Sequence, residues 1–467
     1  MSIKSTLNAG LRRWVLLVFL LVGGLSGAGL ILLTPPVQVP DESMHITRSF
    51  LMTEGQWMLE RGPDRLGGYL PTSMVKLFGV YAAMPGHPER KVRDVPWRAL
   101  WRENLDPDQR TFINHASGFF TPLGYLAPAA GMAVGRVFDV SPLALLYLGR
   151  LGNLLLWLLL VGLALALCPR PSWLLVVLAL APMSIFQAAS TSHDVLINGL
   201  AWLAVALAWR GAGVTELPAA RRYNLALALV ILAMALSKPA YLPAVLLLAL
   251  PAWGAGPRAR WEALALAVGV GVVSLVVWQL VVAKYFMTYE QFSPELRNGL
   301  AAQPGVDPLA QIRYLVAHPL HFLGIFWRAL AEPGVIYSWV GVLGWLDAWL
   351  PRWAYPFFAG LVAALLVVES PGAAPSFPGR ARALFGVVAL AMVLFLAASL
   401  YGQWNAVGSP VLQGFQGRYF IPIAPFLLGA CSVRLIPLPP RLLNVLVPVA
   451  LLVLQFATWL AILRRYY

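Results

Sequence analysis

The sequence predicts an all-α polytopic membrane protein with about eleven transmembrane helices (eleven to thirteen) and a large first external loop. Of its 467 residues, 59% are apolar and only 12% are charged, whereas a soluble domain carries about 25% charged residues. Apolar runs of membrane-crossing length recur along the whole chain. The predicted spans are 14–33, 142–168, 173–190, 195–209, 223–236, 240–253, 263–283, 354–368, 383–400, 420–436 and 442–463.

The first span is a run of twenty uncharged apolar residues, 14–33, behind a basic start. A signal peptide has an apolar core of only ~7–15 residues, so we interpret this run as an uncleaved anchor. Two later runs, 223–236 and 240–253, would be helices of only ~21 Å, short of a ~30 Å hydrocarbon core. The alternative for this pair is a re-entrant hairpin with Lys238 at its tip.

Basic residues in the short loops predict the orientation, because cytoplasmic loops are enriched in Lys and Arg. They fall on alternate connections and therefore on one face: Lys4, Arg12, Arg13, Arg170, Arg210, Arg221, Arg222, Arg258, Arg260, Arg380, Arg382, Arg434 and Arg441. The external face then receives 34–141, 191–194, 237–239, 284–353, 401–419 and the C-terminus. Ten of the twenty acidic residues lie in 34–116, which predicts that the external face does the chemistry.

The chain is predicted to be a single integral membrane domain, 1–467, with 34–141 as its first external loop and 284–353 as a second large external segment. Two interrupted apolar stretches, 119–135 and 314–346, are predicted to be interfacial helices, with an extra membrane hairpin as the alternative. The net charge of +14 fits basic cytoplasmic loops and, more weakly, affinity for anionic lipid or phosphate. Outside the membrane there is no basic stripe interleaved with aromatic residues, so nucleic acid is not an expected partner.

The first cluster of chemistry-bearing residues directly follows the first span. Asp41 precedes a predicted helix, and Asp41, His45 and Arg48 fall at i, i+4 and i+7 on one helix face, with Glu42 beside them. One interpretation makes Asp41 an N-cap and the others its solvated neighbours. The other is a carboxylate held near the membrane surface, where ionisable groups are costly and usually functional.

The second cluster, Ser190-Thr191-Ser192-His193-Asp194, lies in a tight predicted external turn. Asp194 is either a cap of the following span or a second acidic group on the same face as Asp41. Asp41, His193 and Asp194 together form an alternative metal site for Mg²⁺ or Mn²⁺. That signal is weak because no third ligand has a fixed spacing, so no cofactor is firmly predicted.

The third cluster, Gln413–Pro422, places Arg418 at the external mouth of a predicted span. Arg418 and Tyr419 are either an interface anchor or a phosphate site, for which arginine has a suitable fork of donors. Lys238 and Arg150 are lesser candidates. The predicted substrate-binding residues are His45, Arg48, His193, Lys238, Gln416, Arg418 and Tyr419, and the predicted catalytic residues are Asp41, Glu42 and Asp194.

Several common catalytic and transport signatures are missing from the sequence. It contains no phosphate-binding loop, dinucleotide fingerprint, serine-centred elbow or zinc-protease helix. No internal repeat is visible, which argues against an inverted-repeat transporter.

Motifs along residues 34–425 resemble the bacterial membrane family known as "domain of unknown function 2142", which is grouped with the type-C glycosyltransferases. They occur in family order: PPVQVPDESMHITRSFLMTEG, TPLGYLAPAAGMAVGRVFDVSPLALLYLGRLGNLL, LAPMSIFQAASTSHDVLINGLAWL, LSKPAYLP and QGRYFIPIAP. The resemblance implies a catalytic acid at Asp41, with Glu42 beside it, a second acidic residue at Asp194, and a donor-phosphate ligand at Arg418. No Asp-x-Asp follows the first span, which puts metal dependence in doubt.

The resemblance implies transfer of a sugar from a polyprenyl-phosphate donor to a glycan or lipid acceptor on the external face of a bacterial cytoplasmic membrane. The chemistry is coherent, because a carboxylate can take the acceptor proton and cations can stabilise the departing phosphate. Membrane lipids are further expected partners. The alternatives are a lipid or glycan flippase, a ligase or polymerase of whole glycans, and a non-catalytic assembly subunit.

Overall fold

The computed structural model describes residues 3–467 except 116–117, 119, 170–171, 298–302, 369–378, 432–435 and 437. Its first α-helices are α1 (Ile3–Leu33), α2 (Glu42–Thr53), α3 (Thr72–Tyr81), α4 (Trp97–Arg102), α5 (Leu126–Val137), α6 (Pro142–Leu167), α7 (Trp173–Ala179), α8 (Pro182–Ala188), α9 (Asp194–Gly211) and α10 (Leu217–Ser237). The later ones are α11 (Ala249–Gly254), α12 (Pro257–Val277), α13 (Pro294–Arg297), α14 (Pro308–Ala317), α15 (Pro319–Leu330), α16 (Pro333–Gly341), α17 (Ala354–Val368), α18 (Gly379–Trp404), α19 (Ala424–Cys431) and α20 (Pro440–Tyr466).

Six helices in the described residues are long and apolar enough to cross a membrane. They are Gly10–Leu33 of α1, α6, α10, α12 with its continuation to Tyr285, α18, and Arg441–Tyr466 of α20. Each coincides with a predicted span. Two shorter apolar helices, Pro239–Gly254 and Ala354–Val368, lie at other predicted spans, and the total of eleven crossings stays a prediction.

The remaining predicted spans are shorter or broken. The stretch predicted as 173–190 forms two helices, α7 and α8, because Pro182 begins a new helix and cannot continue the old one. By contrast, the run 223–236, for which a re-entrant hairpin was the alternative to a short span, belongs to α10, one of the six long helices; its 21 residues at 1.5 Å per residue are long enough to cross. Of the predicted span 420–436, the described helix covers only Ala424–Cys431.

The all-α prediction missed a small sheet in the first external loop. Strands β1 (Glu60–Arg61), β2 (Leu66–Pro71) and β3 (Arg110–Asn114) pair antiparallel in the order β1-β2-β3. Within β2, every residue except Tyr69 is buried, so the strand lacks the alternation of a half-buried strand. A second pair, β4 (Val342–Leu343) and β5 (Ala348–Trp349), forms a short hairpin in the second external segment.

The segments predicted to lie on the external face contact one another. The indole of Trp345 donates to the carbonyl oxygen of Val37 at 2.7 Å. The Arg465 guanidinium near the C-terminus donates to Asp347 at 2.8 Å. These contacts join the first loop, the second predicted external segment and the C-terminus, and their placement on the external face stays a prediction.

Two arginines that are predicted to be cytoplasmic donate to carbonyl oxygens at the C-terminal end of α6. Arg12 donates to the carbonyl oxygen of Ala166 at 3.2 Å, and Arg210 donates to that of Leu167 at 3.2 Å. Two of the predicted cytoplasmic arginines, Arg170 and Arg434, lie outside the described residues. Which loops face the cytoplasm stays a prediction.

Cysteine labelling tests the orientation. The exposed Asp64 is replaced by Cys after Cys431, the exposed native thiol, has been changed to Ser. We expect an impermeant maleimide to label Asp64→Cys in intact cells, because acidic loops alternate with basic cytoplasmic ones. The control Arg222→Cys should react only after the membrane is permeabilised, and the reverse pattern would overturn the orientation.

Candidate functional site

A cavity at one end of the long helices gathers most of the predicted site residues. Its volume is about 190 Å³, well above the ~10–15 Å³ that one water molecule needs. We call it the Asp41 cavity. It is lined by Asp41, Met44, His45, Phe120, His193, Asp194, Lys238, Pro239, Ala240, Trp278, Leu396, Ser399, Leu400, Gln403, Trp404, Gly414, Gln416, Arg418 and Tyr419.

Asp41 is fixed by an unusual backbone conformation just before α2. Its φ of 64° and ψ of 9° lie in the left-handed region, which Asp and Asn tolerate better than most residues. It occupies the N-cap position, but its side chain makes no capping hydrogen bond. Instead, Asp41 Oδ2 accepts a hydrogen bond from Arg418 Nη2 at 2.9 Å. The capping interpretation therefore describes its position and not its side chain.

Arg418 reaches the cavity from a 3-10 turn, Gly417–Phe420. This turn packs directly on α16, where the backbone N–H of Gly417 donates to Ser338 Oγ at 2.9 Å. A Cβ at Gly417 would collide with backbone atoms of Val335 and Trp339. The glycine therefore permits the close contact that aims Arg418 at Asp41.

A second ion pair lies beside the first. Lys238 Nζ donates to Asp194 Oδ1 at 3.1 Å. The ring of Tyr419 lies near both cations, with its centroid 4.4 Å from Lys238 Nζ and 5.3 Å from Arg418 Cζ. Two acidic and two cationic side chains, from four separate segments of the chain, thus form two ion pairs beside the ring of Tyr419.

Aromatic rings, of which those of His45 and His193 are buried, form the wall next to Asp194. The ring of His193 lies 4.1 Å from Phe120 and 5.0 Å from His45, measured between centroids. Burial lowers the pKa of His45 to about 4 and that of His193 to about 3, although nearby carboxylates raise both. Both imidazoles are neutral at pH 7. Nδ1 of His45 lies 3.4 Å from the hydroxyl oxygen of Tyr125, whereas neither ring nitrogen of His193 has a hydrogen-bond partner among the described residues.

The carboxylates of the Asp41 cavity are ionised at neutral pH. Burial raises the pKa of Asp41, but the charge of Arg418 more than offsets this and leaves the pKa below its usual value. Burial likewise raises the pKa of Asp194, but the charges of Lys238 and Arg418 bring it far below its usual value. Paired with Arg418 and Lys238, these two carboxylates leave the cavity close to charge balance.

The structure does not bring Glu42, one of the predicted catalytic residues, into the Asp41 cavity. Its carboxylate accepts two hydrogen bonds from the Arg150 guanidinium, at 2.9 and 2.6 Å, and neither side chain is exposed. Arg150 also donates to the carbonyl oxygens of Ile31, Thr34 and Pro35. This pair secures the end of α1 to the first loop. Because the guanidinium of Arg150 is already bound by these groups, it is not placed to bind a phosphate in the Asp41 cavity.

Arg48, a predicted substrate-binding residue, also lies outside the cavity. It donates to the carbonyl oxygens of Phe120 at 3.1 Å and Trp57 at 3.4 Å. Its guanidinium lies 5.2 Å from the ring centroid of Tyr125. Arg48 therefore supports the wall that contains Phe120.

A protein-built metal site does not form at Asp41, His193 and Asp194. In the described part of the chain, no group of three or more His, Cys, Asp or Glu side chains is placed to hold a metal ion. Instead, the carboxylate of Asp41 forms an ion pair with Arg418, and that of Asp194 forms one with Lys238. The predicted alternative metal site is thus absent as a ligand cluster in these residues.

Sequence reasoning missed the part of the cavity that spanning helices provide. Trp278 comes from a π-helical turn after α12, and Gln403 and Trp404 come from the end of α18. Their signal was weak: a polar or aromatic residue near the end of an apolar run resembles an ordinary interface anchor.

Comparison with known proteins gives one family. A family profile described as "Predicted membrane protein (DUF2142)" matches residues 24–427, a stretch that contains every residue lining the Asp41 cavity. No curated protein and no solved structure shows significant similarity to the chain.

Proposed function

Because this chain belongs to the DUF2142 family of predicted membrane proteins, we propose a reaction for it from the chemistry of the Asp41 cavity. The protein transfers a sugar from a polyprenyl-phosphate donor to a lipid-linked glycan, surface polysaccharide or lipid on the external face of the bacterial cytoplasmic membrane. One observation carries the proposal: Asp41–Arg418 and Asp194–Lys238 meet in one cavity at the end of the spanning helices.

The donor phosphate would bind between Arg418 and Lys238. These cations flank the ring of Tyr419, and an arginine fork can engage two phosphate oxygens at once. Arg418 Nε is buried and, among the described residues, has no hydrogen-bond partner. Helix α18 adds the apolar side chains of Leu396 and Leu400 to the lining, and such side chains suit the first part of a polyprenyl chain.

Asp41 is the proposed general base. Its side chain is 40% exposed, compared with 13% for Asp194, so an acceptor hydroxyl can approach it. As the acceptor oxygen attacks the anomeric carbon, its proton passes to Asp41. The bond from the anomeric carbon to the phosphate oxygen breaks, and Arg418 and Lys238 stabilise the charge on the released polyprenyl phosphate. Asp194 positions Lys238.

The distribution of charge favours an enzyme over a flippase or transporter. A transporter site lies near the bilayer midplane, whereas the Asp41 cavity draws its charged residues from predicted external segments. A ligase or polymerase of whole glycans would use the same donor class and differ in the size of the unit transferred.

Reconstitution tests the proposed reaction. Purified protein in liposomes is given a panel of polyprenyl-phosphate sugars and lipid-linked acceptors, and the products are weighed by mass spectrometry. We expect an acceptor heavier by one sugar and release of polyprenyl phosphate. Addition of a whole repeat would indicate a ligase, and donor movement across the bilayer without a product would indicate a flippase. A parallel series with chelator asks whether a divalent cation is needed.

Replacing Arg418 tests donor binding separately from catalysis. Arg418→Lys keeps the charge but loses the fork, so binding of a polyprenyl-phosphate analogue should weaken, and Arg418→Ala should weaken it further. Acceptor binding should change less. The control is Arg313→Ala, at an exposed arginine outside the cavity. Equal donor affinity in wild type and Arg418→Ala would make Arg418 an interface anchor only.

A further inference from the structure

A second cavity lies on another side of the first external loop and shares no lining residue with the Asp41 cavity. Its volume is about 510 Å³. We call it the aromatic groove, and its rings are Tyr81, Trp97, Trp101, Tyr147 and Tyr467. The rings of Trp101 and Tyr147 are 6.0 Å apart. The groove has no role in the proposed reaction.

The aromatic groove lies where three spanning helices end. Leu32 at the end of α1, Leu143 and Tyr147 at the start of α6, and Tyr467 just after α20 all line it. Leu32 is 65% exposed, so the groove continues onto the surface of a helix that faces lipid. Trp and Tyr are enriched at this level, where hydrocarbon gives way to head groups.

The rim of the groove is basic. Helix α4 exposes Arg98 and Arg102 beside Trp97 and Trp101, and the Arg98 guanidinium lies 5.3 Å from the ring centroid of Trp97. Residues 90–102 hold five Lys and Arg but one acidic residue. A short helix that combines Trp with Arg is typical of segments that bind anionic membrane surfaces.

We infer that the aromatic groove holds one acyl chain of an anionic phospholipid, with the head-group phosphate bound by Arg98 and Arg102. The occupant is a lipid because all the lining residues are aromatic, aliphatic or proline, whereas the charge needed for an anionic head group lies only at the rim. Among the described residues that line the groove, none has a carboxylate or amide side chain to bind sugar hydroxyls. The inference is independent of the proposed reaction.

Lipid titration of the purified full-length protein tests this site. Phosphatidylglycerol and phosphatidylcholine are added in turn, and bound lipid is counted by native mass spectrometry. Wild type should bind one phosphatidylglycerol saturably and more tightly than phosphatidylcholine. The doubly substituted Arg98→Gln, Arg102→Gln protein should lose that preference, and Trp101→Ala should weaken binding of both lipids by roughly tenfold, through lost apolar contact.

Two controls separate the site from general lipid contact. Trp261→Ala removes a 72% exposed tryptophan elsewhere, and Arg352→Gln removes an exposed arginine elsewhere. Both should bind lipid like wild type. Because Trp101 is 51% exposed, its loss should leave the melting temperature unchanged, which shows that the variant is folded. Wild type without preference between the lipids, or groove variants that bind like the controls, would overturn the proposal.

Discussion

Replacing Asp41 with Asn is expected to lower the rate of sugar transfer by roughly 10²–10⁴ while the protein stays folded. Asn keeps the shape of the side chain and tolerates the left-handed backbone conformation at position 41. Its amide oxygen can still accept the hydrogen bond from Arg418. It cannot take up the proton of the acceptor hydroxyl. The measurement is initial rate in the liposome assay, at equal protein and saturating donor.

Asp64→Asn is the matched control for this change, because Asp64 is an exposed carboxylate of the same loop. It should transfer sugar like wild type. Donor binding should be similar in Asp41→Asn and wild type, so that the loss falls on the chemical step. Near-normal transfer by Asp41→Asn would remove Asp41 from the mechanism and make Asp194 the next candidate.

Replacing Glu42 with Gln is expected to destabilise the protein by about 3–5 kcal/mol. The carboxylate of Glu42 and the guanidinium of Arg150 are both 0% exposed, so the substitution leaves a buried arginine charge without its counter-ion. The size of the penalty follows from the poor solvation of an unpaired ion away from water. Thermal or denaturant unfolding in detergent, followed by tryptophan fluorescence, measures it.

The comparison for Glu42→Gln is Arg221→Gln, which breaks an ion pair with Glu262 whose side chains are 48% and 32% exposed. Exposed pairs contribute little to stability, so that variant should unfold near the wild-type midpoint. If the two variants unfolded alike, the buried pair would not be what secures the first loop.

The long spans followed directly from the sequence, and the broken ones did not. Hydropathy over twenty or more residues is a strong signal, and all six long apolar helices coincide with predicted spans. The break between α7 and α8 arises from Pro182 within an otherwise apolar run. Strand β2, LGGYLP, contains two glycines and a proline, which are depleted in strands, and it is buried except at Tyr69, so no alternating pattern marks it in the sequence.

Eight of the ten predicted site residues line the Asp41 cavity, whereas Glu42 and Arg48 do not. Residue type and position on the external face predicted the members of this set. The ion-pair partner of each residue could not be predicted, because helix periodicity carries no information about which segments distant in sequence are in contact. Asp41 has a positive φ, and the side chains of the adjacent residues Asp41 and Glu42 point to different partners. Asp41 forms an ion pair with Arg418, and Glu42 forms one with Arg150.

The two partners of these adjacent acids are synthesised at different times. Arg150 follows Glu42 by 108 residues, whereas Arg418 follows Asp41 by 377. At ~5–20 residues per second, translation needs roughly 20–75 s to pass from Asp41 to Arg418. The first loop can therefore be anchored by Arg150 early during membrane insertion, whereas the Asp41 cavity is completed only when nearly the whole chain has been made. Until Arg418 has been synthesised, the nascent chain contains an Asp41 that is held in place by the neighbouring Glu42–Arg150 pair but has no ion-pair partner of its own.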